Sequence, residues 1–396
     1  MSSETPLRPT LSPKSAALAP ADAPSGSATQ QRFIYIGGPC TPMGGGMYRV
    51  IDYLVQAQGQ PSTGDGAELR ALETRGSGGA ATSLLTTLGA VGKLVRGRLS
   101  GRLAGVHLNV AERLSLVRKG ILVAACRALG LPVVLHVHAA QLHHGWRKLP
   151  RPAKALLRWM FSLPQSCVVL GPASAEFVTR ELGVPAERVE VVINGVPEPR
   201  LARREPDGLN RILFVGNLSE RKGVSDLLRA LARPEMAGLR FTATFAGGGD
   251  VEGYRRLADG LGLAERVRFT GWADQAQVAR LLALADVLVL PSYDEGLPLA
   301  ILEALAQGVA VVCTPVGEVP HVLTDGRDAC FVQPGQPDSI AAGLARVLGD
   351  PAFRQQLERE GRAMYLQQFS LPRFYSRVSA IHQRVFGVAG APGSGG

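Results

Sequence analysis

Short, continuous apolar runs recur along this chain, each followed by a turn and then a helical stretch. Phe33–Ile36, Val106–Leu108, Val133–Val137, Cys167–Leu170 and Val189–Ile193 mark the first half. Ile212–Val215, Phe241–Phe245, Val267–Thr270, Val287–Leu290 and Val309–Cys313 mark the second. A strand that is apolar on both faces needs both faces covered, which a parallel sheet between helices provides. The alternation therefore predicts an α/β chain with parallel sheets. A length of 396 residues suits two domains. The turn-rich stretches 194–200 and 203–208 interrupt the alternation and place the linker between them. Two such sheets facing one another hold ligands between their carboxyl ends.

The segment from Asp286 to Gly308 is the most informative. Val287–Leu290 reads as a buried strand, followed by a polar loop and a helix. Pro298 suits the first helical turn, where a missing N–H costs nothing. Gly308 sits where a helix C-cap is wanted. Two glutamates interrupt this apolar segment: Glu295 in the loop and Glu303 inside the helix. At about 1.5 Å per residue, Glu303 lies roughly 7–8 Å along the axis from Pro298, the span from a phosphate at the helix start to a ribose. A solvated surface helix is the competing reading, and it leaves the apolar surroundings unexplained.

Three other places carry candidate chemistry. After the strand Ile212–Val215, a turn from Gly216 to Gly223 holds Arg221 and Lys222. A planar guanidinium fork beside a compact ammonium makes a clamp for a diphosphate, unless the pair is simply solvated. After Phe33–Ile36, a loop containing Gly44, Gly45 and Gly46 opens a helix, so its backbone can approach a phosphate closely. A dinucleotide fingerprint fails there because Arg49 stands where its third glycine belongs. Finally, His136 and His138 share one side of the strand Val133–Val137. No carboxylate or cysteine accompanies them, so a metal site is not indicated. A structural histidine at a strand end is the plain alternative.

Glu295 and Glu303 form an E-x7-E pair inside P-S-x-x-E-G-L-P-L-x-x-L-E-A-x-A-x-G, and Lys222 closes a G-x-L-x-x-x-K-G turn. Together these resemble the donor site of retaining GT-B glycosyltransferases, the glycosyltransferase family 4-like or group 1 family. The resemblance runs from Phe33 to Phe386 and is strongest between Ile212 and Val316. It implies a GT-B fold, with two facing Rossmann-like domains, parallel sheets and an inter-domain cleft. Residues 31–200 would be the acceptor domain and 208–370 the nucleotide-sugar domain. A helix over 371–387 would return to the first domain. Composition leaves 1–30 as a disordered segment and 388–396 as a flexible tail.

The same resemblance implies roles. Glu303 hydrogen-bonds the ribose hydroxyls, and Glu295 sits by the sugar ring. Arg221, Lys222, the N–H groups of Gly296 and Leu297 and the helix dipole starting near Pro298 stabilise the departing diphosphate. Gly216 belongs to the phosphate turn. Gly44, Gly45 and Gly46 lie near the donor phosphates and the acceptor. His138 approaches the sugar from the opposite domain, with His136 as the alternative. The chain contains no Asp-x-Asp, so no metal is expected, and the nucleotide-diphosphate sugar is a co-substrate rather than a cofactor. The implied reaction is retaining, metal-independent hexosyl transfer from GDP-mannose or a UDP-sugar. A GT-B nucleotide-sugar epimerase is the alternative within the fold.

Charge bears on the acceptor. The net charge is +10, and from Gly76 to Ala175 the only acid is Glu112. That asymmetry points to an anionic partner: membrane lipid, a lipid diphosphate or nucleic acid. Few aromatics and no groove-reading motif accompany the basic stretch, so nucleic acid is not expected. Over 147–161, Arg147, Arg151, Lys154 and Arg158 fall on one helical face and Ala155, Leu156, Trp159 and Met160 on the other. Such a helix either lies in a membrane interface or packs into its domain. The most apolar stretch, Gly120–Ala140, is broken by Arg127, Pro132 and two histidines, so no spanning segment is expected. Residues 1–30 lack a signal-peptide core, and the five scattered cysteines suit a reducing compartment. The expectation is a cytoplasmic enzyme, peripheral at the inner face of a bacterial membrane. It would act on a polyprenyl-diphosphate-linked saccharide or on lipopolysaccharide.

Overall fold

The computed structural model describes residues 31–41, 45–58, 66–76, 78–138 and 142–390, apart from the side chain of His144. Residues 1–30, Gly44 and residues 391–396, for which disorder, a phosphate contact and a flexible tail were expected, lie outside the described residues.

The first sheet comprises β1 (Phe33–Gly38), β2 (Glu68–Glu73), β3 (Leu103–Val110), β4 (Val133–Val137), β5 (Ser166–Val169) and β6 (Val189–Val191). Its strand order is β2-β1-β3-β4-β5-β6, and all pairings are parallel. The second sheet comprises β7 (Asn210–Val215), β8 (Phe241–Ala246), β9 (Val267–Gly271), β10 (Val287–Leu290), β11 (Ala310–Cys313) and β12 (Cys330–Phe331). Its order is β12-β11-β10-β7-β8-β9, again parallel throughout. This is the two-domain parallel α/β architecture that the alternation predicted.

The continuous apolar runs are the central strands. Every residue of β3, β4, β5, β10 and β11 is buried. Each buried Val or Leu contributes about 2 kcal/mol before chain entropy is subtracted. Two strands had no such run to announce them. Edge strand β2 breaks its apolar residues with Glu68, Arg70 and Glu73, and β12 has only two residues.

Chain order reverses between β1 and β3 in the first sheet and between β7 and β10 in the second. Ligands bind at such switch points, beyond the carboxyl ends of the strands. The fold thus offers two sites: the loops after β1 and β3, and the loops after β7 and β10.

Helix α1 (Gly45–Ala57) follows β1, α2 (Ala80–Leu99) follows β2, and α3 (Leu114–Ala128) follows β3. The single basic helix expected over 147–161 is instead two, α4 (Leu142–Lys148) and α5 (Arg151–Ser162), because Pro150 is the extended cap residue of α5. Its expected apolar face is also split. Met160 and Phe161 are buried, whereas Leu156 and Trp159 are exposed, and Lys154 and Arg158 lie over the Trp146 ring.

One helix near the end of the chain changes its winding. It runs as α13 (Pro351–Met364, numbering the helices in chain order), passes through a π-turn at Tyr365–Phe369, and is followed by α14 (Leu371–Phe386). Helix α14 packs on the first sheet. A side chain at Gly105 of β3 would strike the Phe386 ring at 2.2 Å, and His382 Nε2 lies 2.8 Å from His107 Nδ1. Residues 388–390, expected in a flexible tail, are docked: the Ala67 N–H donates to the Ala389 carbonyl at 2.8 Å, and Gly390 bridges to Ala67.

Candidate active site

In the second domain, the candidate site is built where the loops after β7 and β10 meet. Gly216 leads from β7 into a single 3-10 turn at Glu220–Lys222, ended by Gly223 with φ of +70°. A Cβ on Gly223 would lie 2.2 Å from the Pro291 carbonyl, so only glycine allows the two loops to pack. This close approach puts the Lys222 ammonium on Glu295 Oε1, to which Ser292 Oγ also donates at 2.8 Å. The Lys222 and Glu295 side chains are only 14% and 10% exposed. Arg221 points the other way; its Nη1 donates to the Asp294 carbonyl at 2.7 Å from an exposed position. The two cations are therefore not equivalent: Lys222 is inside and Arg221 on the rim.

Helix α10 (Leu299–Gln307) starts one residue later than its proline suggests. Pro298 has φ −64° and ψ 127°, so it is the extended cap residue rather than part of the first turn. Gly308, with φ of +71°, ends the helix as expected. The N–H groups of Gly296 and Leu297 make no hydrogen bond to other described residues, while the Gly296 carbonyl accepts from the Glu318 N–H at 2.9 Å. Gly317, at φ +61°, allows that contact: a Cβ there would lie 1.9 Å from the Glu295 carbonyl.

Glu303 faces out of α10 and meets the other domain. Arg49 Nη1 lies 2.7 Å from both of its oxygens, and the Tyr53 hydroxyl donates to Oε1 at 3.0 Å. Gln275 Nε2 in turn donates to the Tyr53 hydroxyl at 3.1 Å. Arg49 and Tyr53 are one turn apart on α1, directly after the glycine loop. In the sequence, Arg49 registered only as a missing glycine. The i, i+4 spacing of Arg49 and Tyr53 was the available signal, but nothing in it named a partner 254 residues away. Gly45 and Gly46 open this helix, and a side chain on Gly46 would touch Leu299 at the start of α10.

A second carboxylate crosses between domains. Glu318 follows β11 and is buried against the first turn of α6 (Pro172–Arg180). It accepts from the Ser174 N–H at 2.7 Å and the Ala173 N–H at 3.3 Å. These are unpaired donors at the positive end of a helix, where an anion is stabilised. Because α1 and α6 follow strands of the first sheet, and α10 and Glu318 follow strands of the second, the carboxyl ends of the two sheets face one another.

In the first domain, His138 follows β4 and its Nε2 lies 2.8 Å from Asn109 Oδ1, at the end of neighbouring β3. Since Oδ1 is an acceptor, Nε2 carries the proton. Burial holds the His138 imidazole down to about 4, so it is neutral at pH 7. His136 is fully buried, with its ring centroid 4.2 Å from that of His138. It is a core group beneath the strand end. Glu73, the last residue of β2, accepts from the N–H groups of Cys40 at 2.7 Å and Arg75 at 2.6 Å, tying the loop after β1 to its neighbour. Lys119 is buried beside it, donates to Thr74 Oγ1 at 2.5 Å, and is pulled down to about 7 by burial. Sequence reasoning marked none of Asn109, Glu73, Lys119, Glu318 and Tyr53.

Among the described residues, no three His, Cys, Asp or Glu side chains are grouped to hold a metal ion. Two parallel α/β sheets with opposed switch points, one carrying the E-x7-E loop and helix, define the GT-B class. The family description "Glycosyl transferases group 1" matches residues 198–364, and "Glycosyl transferase 4-like domain" matches residues 45–195. The chain belongs to this group 1, family 4-like glycosyltransferase family.

Glycogen synthase of Mycobacterium tuberculosis is 29% identical over 257 residues, 62% of this chain and 62% of that protein. The chain thus spans less than two thirds of this relative. In fold, sucrose-phosphate synthase from Thermosynechococcus elongatus superposes with a TM-score of 0.74 at 18% identity, covering 90% of this chain and all of that one. Anabaena HepE, in complex with UDP and glucose, superposes with a TM-score of 0.69 at 20% identity, covering 89% of this chain and all of that one.

Proposed function

We propose that this protein is a retaining, metal-independent hexosyltransferase. It moves a hexose from GDP-mannose or a UDP-sugar to a lipid-linked saccharide, in exopolysaccharide or lipopolysaccharide assembly. The observation that carries the reading is the cluster of Lys222, Glu295 and the α10 N-terminus at one switch point, with Glu303 one to two turns along the same helix. Family membership supports the reading. So does HepE, which has the same fold and holds UDP and glucose.

The chemistry follows from charge. The C1–oxygen bond to the β-phosphate breaks, leaving negative charge on the phosphate and positive charge on the sugar. The acceptor oxygen bonds to C1 on the same face, and its proton passes to the departing phosphate. Lys222, Arg221 and the N–H groups of Gly296 and Leu297 stabilise the leaving group, each by a factor of about 10²–10³. Glu295 positions Lys222 and lies beside the sugar. Glu303 takes the ribose hydroxyls. Neutral His138, whose Nε2–H is given to Asn109, accepts at Nδ1 a hydrogen bond from a hydroxyl of the sugar or acceptor, from the facing domain. Gly45 and Gly46 frame the phosphates from the same side.

Membrane contact rests on the surface of the first domain. Helix α2 exposes Leu84, Leu85, Leu88 and Leu99, α3 exposes Leu114 and Val117, and α5 exposes Leu156 and Trp159. Helix α3 packs against both α2 and α5. Lys93, Arg96, Arg98, Arg113 and Arg118 border these residues along the chain, in the stretch whose only acid is Glu112. Exposed apolar groups with basic neighbours fit the surface of an anionic bilayer. No described helix is long and apolar enough to cross a membrane.

The test is calorimetry with a panel of UDP- and GDP-sugars, followed by transfer assays on lipid-linked acceptors in EDTA. Binding of one nucleotide class and transfer without metal would support the proposal. A strict need for Mg²⁺ or Mn²⁺ would remove the metal-independent mechanism. Turnover of the sugar nucleotide without acceptor would mark an epimerase.

A further inference from the structure

Glu303 is assigned above to the ribose, yet both of its oxygens are already engaged. One nitrogen, Arg49 Nη1, lies 2.7 Å from each. A donor equidistant from both oxygens sits on the bisector of the carboxylate. A vicinal diol addressing the two oxygens approaches along that same line, so the two cannot occupy it together. The Tyr53 hydroxyl takes a different lone pair, on Oε1, and is fixed by Gln275 of α9 (Gln275–Leu284). The Arg49 and Glu303 side chains are 17% and 11% exposed, so water competes little for the pair.

Resting on the ribose assignment, we infer that Arg49 is a donor-site residue contributed by the facing domain. It stands in for the ribose when no nucleotide is bound and is displaced by it, while Tyr53 keeps the carboxylate oriented. Arg49 belongs to α1, so the contact exchanged is also one between domains. Nucleotide entry breaks one of the two α1 contacts to Glu303 and leaves that of Tyr53, and return of Arg49 to Glu303 helps expel the spent nucleotide. The pair thus lowers nucleotide affinity and shortens the stay of the product.

The experiment is calorimetric titration of UDP and GDP, and of their 2′,3′-dideoxy counterparts, into wild type, Glu303→Ala, Arg49→Ala and Arg49→Gln. Glu303→Ala should weaken binding of the diol-bearing nucleotide. Both Arg49 variants should bind it roughly tenfold tighter, the worth of one charged hydrogen bond given up. Affinity for the dideoxy nucleotides should not change in any variant, because they do not reach the contested carboxylate. Arg49 variants that bind the diol-bearing nucleotide no tighter, or that gain equally for the dideoxy form, overturn the competition. If Glu303→Ala binds like wild type, the ribose assignment falls and this inference with it. Loss on Glu303→Ala without gain on either Arg49 variant overturns the competition alone.

Discussion

Glu318 accepts a 2.7 Å hydrogen bond from the Ser174 N–H across the two domains, while its own N–H donates to the Gly296 carbonyl at 2.9 Å. One residue therefore ties the first turn of α6 to the loop assigned to the leaving group. Glu318→Ala should lower kcat by about tenfold or more, the effect of losing a charged hydrogen bond between the domains. Nucleotide Kd should stay within about threefold, because Lys222, Glu295 and Glu303 are left in place. Small-angle scattering should report a larger radius of gyration, and Glu318→Gln should recover much of both effects. Unchanged kcat and scattering would refute this role.

Lys222 and Glu295 form a nearly buried pair. Lys222→Ala leaves Glu295 charged and unpaired, which should cost about 3 kcal/mol of stability. The same change should reduce kcat by about 10²–10³. The double change Lys222→Met, Glu295→Gln separates the two effects. Urea denaturation should show most of the stability returning, with turnover still lost. Recovery of turnover in the double variant would show that neither charge is needed.

Three buried histidines and the half-buried His138 make the protein acid-sensitive. Burial pushes His107 and His136 well below the ordinary value, His138 to about 4 and His382 to about 3. In the unfolded chain all four take up protons near pH 6.5. The depressed folded values mean that full stability is present above about pH 6.5 and is lost as pH falls toward about 4. Each histidine adds a slope approaching about 1.4 kcal/mol per pH unit. Urea midpoints should fall steeply between pH 7 and 5, and less steeply in His382→Gln. A flat profile over that range would contradict the burial of these rings.

The exposed leucines of α2 test the membrane reading. The protein should sediment with vesicles containing anionic phospholipid at low salt and remain in the supernatant with neutral vesicles. Leu85→Glu with Leu88→Glu should abolish sedimentation, since Leu85 is 69% exposed and changing it touches no core. Charge reversal at Arg151, Lys154 and Arg158 should weaken it by about 1 kcal/mol per residue if α5 contributes. Unaltered sedimentation of the leucine variant would remove α2 from the contact.

Much of this architecture was readable before any coordinates. A strand such as Val287–Leu290 is apolar throughout because both its faces are covered, and its brevity between turn residues marks it as a strand rather than a buried helix. Glu68–Glu73 escaped because an edge strand keeps a polar face. Of the candidate site, Lys222, Glu295 and Glu303 stand in local patterns that single them out in the sequence, though not the contacts they make. Arg49, Tyr53 and Glu318 do not. Their partners lie across the cleft, brought close only by the packing of two domains, and single-chain spacing holds no trace of that. Pro298 was misplaced by one residue because an N-cap and a first-turn proline look alike in sequence.

Helix α14 covers His107 and lays Phe386 on Gly105 of β3, deep in the domain that begins at Phe33. A ribosome exposes β3 more than two hundred and fifty residues before it can supply that cover. The second domain can close around its own sheet in the meantime, but the first has to wait, with an apolar face and a pair of histidines open to water. Order of synthesis and order of completion are thus inverted in this chain, and whatever protects the nascent first domain must stay until α14 arrives.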